Sequence, residues 1–382
     1  MRRSTAVSIW VFGLLVLSSQ TAWSETPAQI PHYRDEIQKK LADLRRISTP
    51  EGIEALEEVN IDGDKQWISI RGLNKANPVL LMIHGGPGSP TMGASWAFQK
   101  PWEDYFTVVQ WDQRGVGKNY AGSKHEQPPR PMSLERLVKD SEQVVQYLRK
   151  RLHKDKIVVL GFSFGSEIGA LLAQRHPEWL YAYVGVGQSV NDKSEAYIYK
   201  RTLELAEQAG NREAVEELRA LAPYPVNDSK ELIRKALAIR RWVRVFNGGW
   251  YGKSDFDLYF SLPEWAPEYS QADVDNLKPG MSWAEEALAE SLTSSADDLE
   301  KVAIDFKVPI VFIMGRYDLH TPYVSAEQYF QQIHAPLKKF ITFERSSHFV
   351  MFEEPGRFLV TLVNDVLPLT GAPVMFKVTG SR

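Results

Sequence analysis

Apolar positions along this chain follow two alternating patterns. Short continuous runs, rich in β-branched residues, occupy 78–83, 106–111, 157–160, 181–186, 308–314 and 339–343. Such runs suit strands buried on both faces. Between them, at 133–152, 164–175, 324–333 and 355–367, the apolar positions take helical spacing, and Ser133 stands where a helix cap belongs. Residues 57–61 and 66–71 read as two more strands, joined by a tight turn at Asp62-Gly63-Asp64. Residues 33–47 predict a charged, amphipathic surface helix through Ile37, Leu41 and Leu44. Strands alternating with helices predict an α/β class fold, with a mainly parallel eight-stranded sheet covered on both faces.

The pattern changes between residues 188 and 305. It becomes helical, with no convincing strand, and aromatics crowd its second half, among them Trp242, Phe246, Trp250, Phe256, Tyr259 and Trp283. This segment is expected to form a helical cap over the strand C-termini, where open α/β sheets bind ligands. The cap divides a core of 25–187 and 306–382. Trp242, Phe246 and Trp250 are the candidate substrate-binding residues.

The first 24 residues differ again. Arg2 and Arg3 precede an apolar run from Ala6 to Leu17, then Ala22-Trp23-Ser24. A basic start, an apolar middle and a small-x-small site predict a cleaved export signal. The mature protein is expected to be periplasmic or secreted, without stable membrane association.

Composition narrows the chemistry. Of 382 residues, 43% are apolar and 24% charged, as in a globular protein. A net charge of −3 gives no basic surface for nucleic acid, and the absence of cysteine excludes disulfides and thiol nucleophiles.

The reactive candidate is Ser163, within Gly161-Phe162-Ser163-Phe164-Gly165, directly after the apolar run 157–160. A strand that delivers a serine to a sharp turn before a helix exposes its hydroxyl at the sheet edge. The hydroxyl needs a base, and the base needs an orienting carboxylate. Asp318 follows the strand at 308–314, and His348 follows the strand ending near Phe343, so both fall on the same sheet edge as Ser163. Asp192, after the preceding strand, is the rival acid, and His320 is expected to shape the loop.

An oxyanion formed by attack on a carbonyl needs N–H donors. Phe164 should supply one and His84-Gly85-Gly86-Pro87-Gly88 the other, with Gly86 preferred over Gly85. His84 is expected to hold that loop through its ring. Asp112-Gln113-Arg114-Gly115 reads as a polar turn with an internal ion pair, bracing the oxyanion loop. No metal or cofactor motif is present.

Together, the His84–Gly88 loop, Asp112-Gln113-Arg114-Gly115-Val116-Gly117, the serine pentapeptide, Gly315-Arg316-Tyr317-Asp318 and His348 resemble the α/β-hydrolase superfamily, specifically its proline iminopeptidase-like branch. The resemblance implies metal-free removal of N-terminal residues from a small or peptide substrate. This chain departs from the branch in having Phe162 and Phe164 beside the serine. The branch holds the substrate amine with cap glutamates; Glu204, Glu207 and Glu264 lack its Trp-rich context. A carboxylesterase with the same triad, and a non-catalytic binding scaffold, are the alternatives.

Overall fold

The computed structural model describes residues 29–120, 132–190, 193–289 and 299–372. The export signal expected at 1–24, and Asp192, lie outside the described residues.

Eight strands form one sheet: β1 (Ile53–Ile61), β2 (Asp64–Gly72), β3 (Val79–Ile83), β4 (Thr107–Trp111), β5 (Ile157–Phe162), β6 (Leu180–Val186), β7 (Ile310–Gly315) and β8 (Lys338–Phe343). Their spatial order is β1-β2-β4-β3-β5-β6-β7-β8. β2 runs antiparallel to both its neighbours, and every pair from β4 to β8 is parallel. The β1–β2 hairpin turns at Asp62 and Gly63, with φ of 49° and 87°. A two-residue loop with both φ positive matches the twist of the paired strands.

Successive residues of each central strand enter opposite cores. Leu81, Ile83 and Val159 face one cluster, while Leu80, Met82 and Val158 face the other. That is why these strands carry continuous rather than alternating apolar runs. Helix α2 (Leu134–Arg151) opens with the Ser133 side chain accepting from the Arg136 N–H, and α3 (Gly165–Arg175) follows β5 directly.

Registers align the strand ends. Ile83 pairs with both Trp111 and Gly161, Phe162 with Val186, Val186 with Ile313, and Gly315 with Phe343. The loops after β3, β4, β5, β7 and β8 therefore leave one edge of the sheet.

Between β6 and β7 the described residues form helices, including α4 (Lys193–Gln208), α5 (Arg212–Ala220), α6 (Ser229–Val245) and, later, Leu277–Ala287. Among the described residues, the strand-type pairings of this segment are two isolated bridges, Trp250 with Lys253 and Asp305 with His334. Helix α1 (Gln29–Arg45) docks onto this region. Arg34 donates to the carbonyls of Glu264 and Tyr269, and Gln38 to those of Ala266 and Tyr269. The expected surface helix is thus a clasp on residues 264–269. No described helix is long and apolar enough to cross a membrane.

Candidate active site

Ser163 sits at the sharp turn between β5 and α3 with φ of 55°, left-handed for a residue with a Cβ. Its own N–H donates to the Val186 carbonyl at 2.9 Å, and its carbonyl accepts from the Ser166 N–H at 2.8 Å. The flanking glycines are sterically required. A Cβ on Gly161 would lie 2.6 Å from the Gly165 carbonyl oxygen, and one on Gly165 would collide with the carbonyls of Ile83 and His84. Strain of this kind, held by surrounding structure, is characteristic of functional turns.

Asp318 follows β7 in a tight turn. Its Oδ1 accepts the N–H groups of His320 (2.9 Å) and Thr321 (3.0 Å). Its Oδ2 accepts the Thr321 hydroxyl (3.0 Å) and His348 Nδ1 (2.8 Å). A carboxylate oxygen accepts, so Nδ1 carries the proton and Nε2 is left as the ring's acceptor. Thr321, three residues beyond the acid, fixes the carboxylate and also lies 3.2 Å from His348 Nδ1.

His348 is packed tightly. A Cβ on Gly187 would stand 3.0 Å from its ring. Phe162 lies against it at 5.0 Å, Phe349 at 5.5 Å and His320 at 5.3 Å between ring centres. The Gly249 carbonyl accepts the His348 N–H, the Asn247 carbonyl accepts the Ser347 hydroxyl, and the Gly248 carbonyl accepts the Leu319 N–H. One segment between α6 and Trp250 therefore stitches together the loops of the acid and the histidine.

The glycine loop is set against the serine. A Cβ on Gly85 would lie 2.6 Å from Ser163 Cβ, so no side chain fits there. Gly86 has φ of 119°, and among the described residues no protein acceptor takes the N–H of Gly86 or of Phe164. His84 holds the loop as expected: its Nδ1 donates to the Gly85 carbonyl at 2.9 Å, and its Nε2 accepts the Gln113 N–H at 3.2 Å. Complete burial pushes this imidazole down to about 4, against a smaller opposing effect of the Gly85 carbonyl, so the ring is neutral.

The bracing turn differs from expectation. Gln113 Nε2 donates to the His84 carbonyl at 2.8 Å, but Asp112 and Arg114 form no ion pair. Arg114 crosses the β1–β2 hairpin to clasp Asp140 on α2 at 2.8 and 2.9 Å. Asp112 turns the other way, accepting the Lys118 N–H (2.9 Å) and the Tyr269 hydroxyl (2.7 Å). The chain turns from Arg114 onward, so the two side chains, two residues apart, diverge and each finds a partner from a different element.

The three candidate binding aromatics separate. Trp242 lies in the cluster formed by α4, α5 and α6, with its indole N–H donating to Glu217 at 2.6 Å, and Phe246 stacks on it. Both occupy packing positions. Trp250 instead stacks on Phe349, the residue after His348, at 5.2 Å. The rings of Phe256 and Tyr259 complete that group, 4.9 and 4.8 Å from Phe349. The aromatic density at 242–283 signalled this cluster without distinguishing its members.

The family model of the alpha/beta hydrolase fold matches residues 78–355. The chain is 32% identical to the "Probable aminopeptidase YbaC" of Bacillus subtilis, covering 83% of this chain and 97% of that protein. It is 25% identical to a proline iminopeptidase of Heyndrickxia coagulans, over 76% of this chain and 90% of the relative. Among solved structures, the proline iminopeptidase-related protein TTHA1809 of Thermus thermophilus superposes with a TM-score of 0.58 at 18% identity, covering 81% of this chain and 96% of that one. A bacterial membrane phospholipase A superposes with a TM-score of 0.56 at 16% identity, over 91% and 93% of the chains. At such identities these two likenesses speak to fold alone. The chain belongs to the α/β-hydrolase superfamily, in its proline iminopeptidase-like branch. It is a hydrolase.

Proposed function

We propose that the protein is an exported serine aminopeptidase acting on small or short-peptide substrates. Ser163 attacks the substrate carbonyl as His348 Nε2 takes its proton. The proton passes to the leaving amine, an acyl-enzyme forms on Ser163, and water activated by His348 releases the acid. Asp318 fixes the imidazole tautomer. The N–H groups of Phe164 and Gly86 receive the oxyanion, an interaction whose loss typically costs about 10²–10³ in rate. The observation that carries this reading is the 2.8 Å bond from His348 Nδ1 to an Asp318 carboxylate whose other contacts are also donors.

An aminopeptidase needs an anion for the substrate's ammonium group. Three cap acids are already committed to arginines: Glu204 to Arg201, Glu207 to Arg219 and Glu264 to Arg34. Glu285 is half-buried, and burial raises its pKa. It lies one turn beyond Met281, whose Cα would stand 3.0 Å from a Cβ on Gly88 of the oxyanion loop. We assign the ammonium site to Glu285. Export rests on the basic and apolar pattern of residues 1–24.

The test is hydrolysis of prolyl-arylamide, N-blocked prolyl-arylamide and a short-chain nitrophenyl ester by the purified protein. Preference for the free-amine substrate is expected. Cleavage of the ester alone would replace the aminopeptidase reading by a carboxylesterase with the same three residues.

A further inference from the structure

Among the described residues, the guanidinium of one side chain and a ring nitrogen of another beside Phe256 have no hydrogen-bond or ion-pair partner. The first is Arg244, in the last turn of α6. It is half-buried, and its guanidinium carbon lies 5.6 Å from the centre of that ring. Its neighbours are engaged, Arg240 with Glu195 and Arg241 with Glu217, but no carboxylate among the described residues forms an ion pair with Arg244. The exposed Asp257 attracts it without reaching it.

The second is His320. Its ring centre is 5.2 Å from that of Phe256 and 5.3 Å from that of His348, and its Nε2 is buried with no hydrogen-bond partner. Its main-chain N–H is spent on Asp318, so the ring is held beside the base. Burial first, then the fields of His348, Arg240 and Arg244, hold its pKa well below the ordinary histidine value. The ring is therefore neutral, and Arg244 places beside it a positive charge that has no ion-pair partner among the described residues. A weakly hydrated guanidinium resting on an aromatic face suits a planar carboxylate in a partly dry site.

We propose that Arg244 and His320 bind a carboxylate of the substrate next to His348. Building on the aminopeptidase reading, this is the C-terminal carboxylate of a very short peptide. The guanidinium donates to the carboxylate oxygens, and the orphaned His320 Nε2 donates once the ring carries its proton there. Dipeptides with a free C-terminus are then preferred over their amides.

Binding can be measured apart from turnover, using the full chain with Ser163→Ala and calorimetry with prolyl-alanine and prolyl-alaninamide. The free acid should bind about tenfold more tightly than the amide, as expected for a charge-assisted contact. Arg244→Ala in the same background should bring the two affinities together, and Arg244→Lys should keep part of the difference; circular dichroism checks that both variants fold. Equal affinities in the parent, no binding of either ligand, or a preference that survives Arg244→Ala would overturn the proposal. Cleavage of prolyl-arylamide by the unaltered enzyme, with equal binding of acid and amide, would remove the carboxylate site and keep the aminopeptidase. Tighter binding of the acid by an enzyme that cleaves only esters would do the reverse.

Discussion

The ring of Phe162 lies against the imidazole of His348, with centres 5.0 Å apart and planes inclined at 34°. The residue before the nucleophile thus packs the base, and β5 positions two members of the site at once. Phe162 is buried. Phe162→Ala should destabilise the protein by about 3–5 kcal/mol, as for other buried phenylalanines. It should also lower kcat at least tenfold with little change in KM, because the imidazole gains room to turn. Phe162→Leu should recover most of both. Steady-state kinetics beside thermal melts checks this, and an unchanged kcat in folded Phe162→Ala would show that the contact does not position the base.

Gly85 and Gly86 should fail differently. A Cβ on Gly85 meets Ser163 Cβ at 2.6 Å and the Phe162 carbonyl at 2.8 Å, so Gly85→Ala must push the loop off the serine. On Gly86 the Cβ meets the amide nitrogens of Gly88 and Ser89 instead, at 2.5 and 2.6 Å, with the added strain of a positive φ. We expect Gly85→Ala to fold but lose about 10²-fold or more in kcat, the scale of a displaced oxyanion donor. Gly86→Ala should lose melting temperature as well.

Two carboxyls, the buried Asp112 and the half-buried Glu353, give the protein a stability profile with a definite sign. Burial pushes both Asp112 and Glu353 up to about 7. Hydrogen bonds to Asp112 from Lys118 and Tyr269, and to Glu353 from the N–H groups of Ser347 and Phe349, offset burial only in part. In each case the folded state holds its proton more tightly than the unfolded chain. The resulting stabilisation is complete below about pH 4 and is lost as pH rises toward 7, at about 1.4 kcal/mol per pH unit per group. Asp112→Asn keeps the shape without the charge. Its melting temperature relative to the wild type should therefore rise between pH 5 and pH 8, measured by calorimetry at several pH values; a difference that stays constant or falls would contradict the burial argument.

Helix α1 should matter for the cap. Arg34 and Gln38 together hold the carbonyls of Glu264, Ala266 and Tyr269, and the Tyr269 hydroxyl reaches Asp112 beside the braced oxyanion loop. Arg34→Ala with Gln38→Ala leaves those carbonyls without their donors, at about 1–3 kcal/mol per buried group. Hydrogen exchange should accelerate at residues 262–270 while β5 and β7 stay protected.

Much of this architecture was readable in the chain because it depends on short-range pattern. Continuous apolar runs marked the strands, and the glycines around Ser163 reported a turn in which a Cβ collides with backbone. Strand ends placed Asp318 and His348 on one edge. Partners chosen across the fold were not readable. Asp112 and Arg114 stand two residues apart in sequence yet answer to Tyr269 and Asp140. Trp242 and Trp250 look alike in a helical aromatic segment, and only tertiary packing sends one into the cap's own cluster and the other to Phe349. The bonds of Glu353 to both residues flanking His348 carry no local signature at all.

Activation of Ser163 by His348 and Asp318 makes the serine reactive toward phosphonylating reagents. Incubation with a fluorophosphonate probe, followed by intact-mass and peptide analysis, tests it most directly. One adduct on Ser163 is predicted, absent in Ser163→Ala and formed far more slowly in His348→Ala, with both variants folded. An unlabelled wild type, or an adduct at equal rate in the Ser163→Ala protein, would contradict the account.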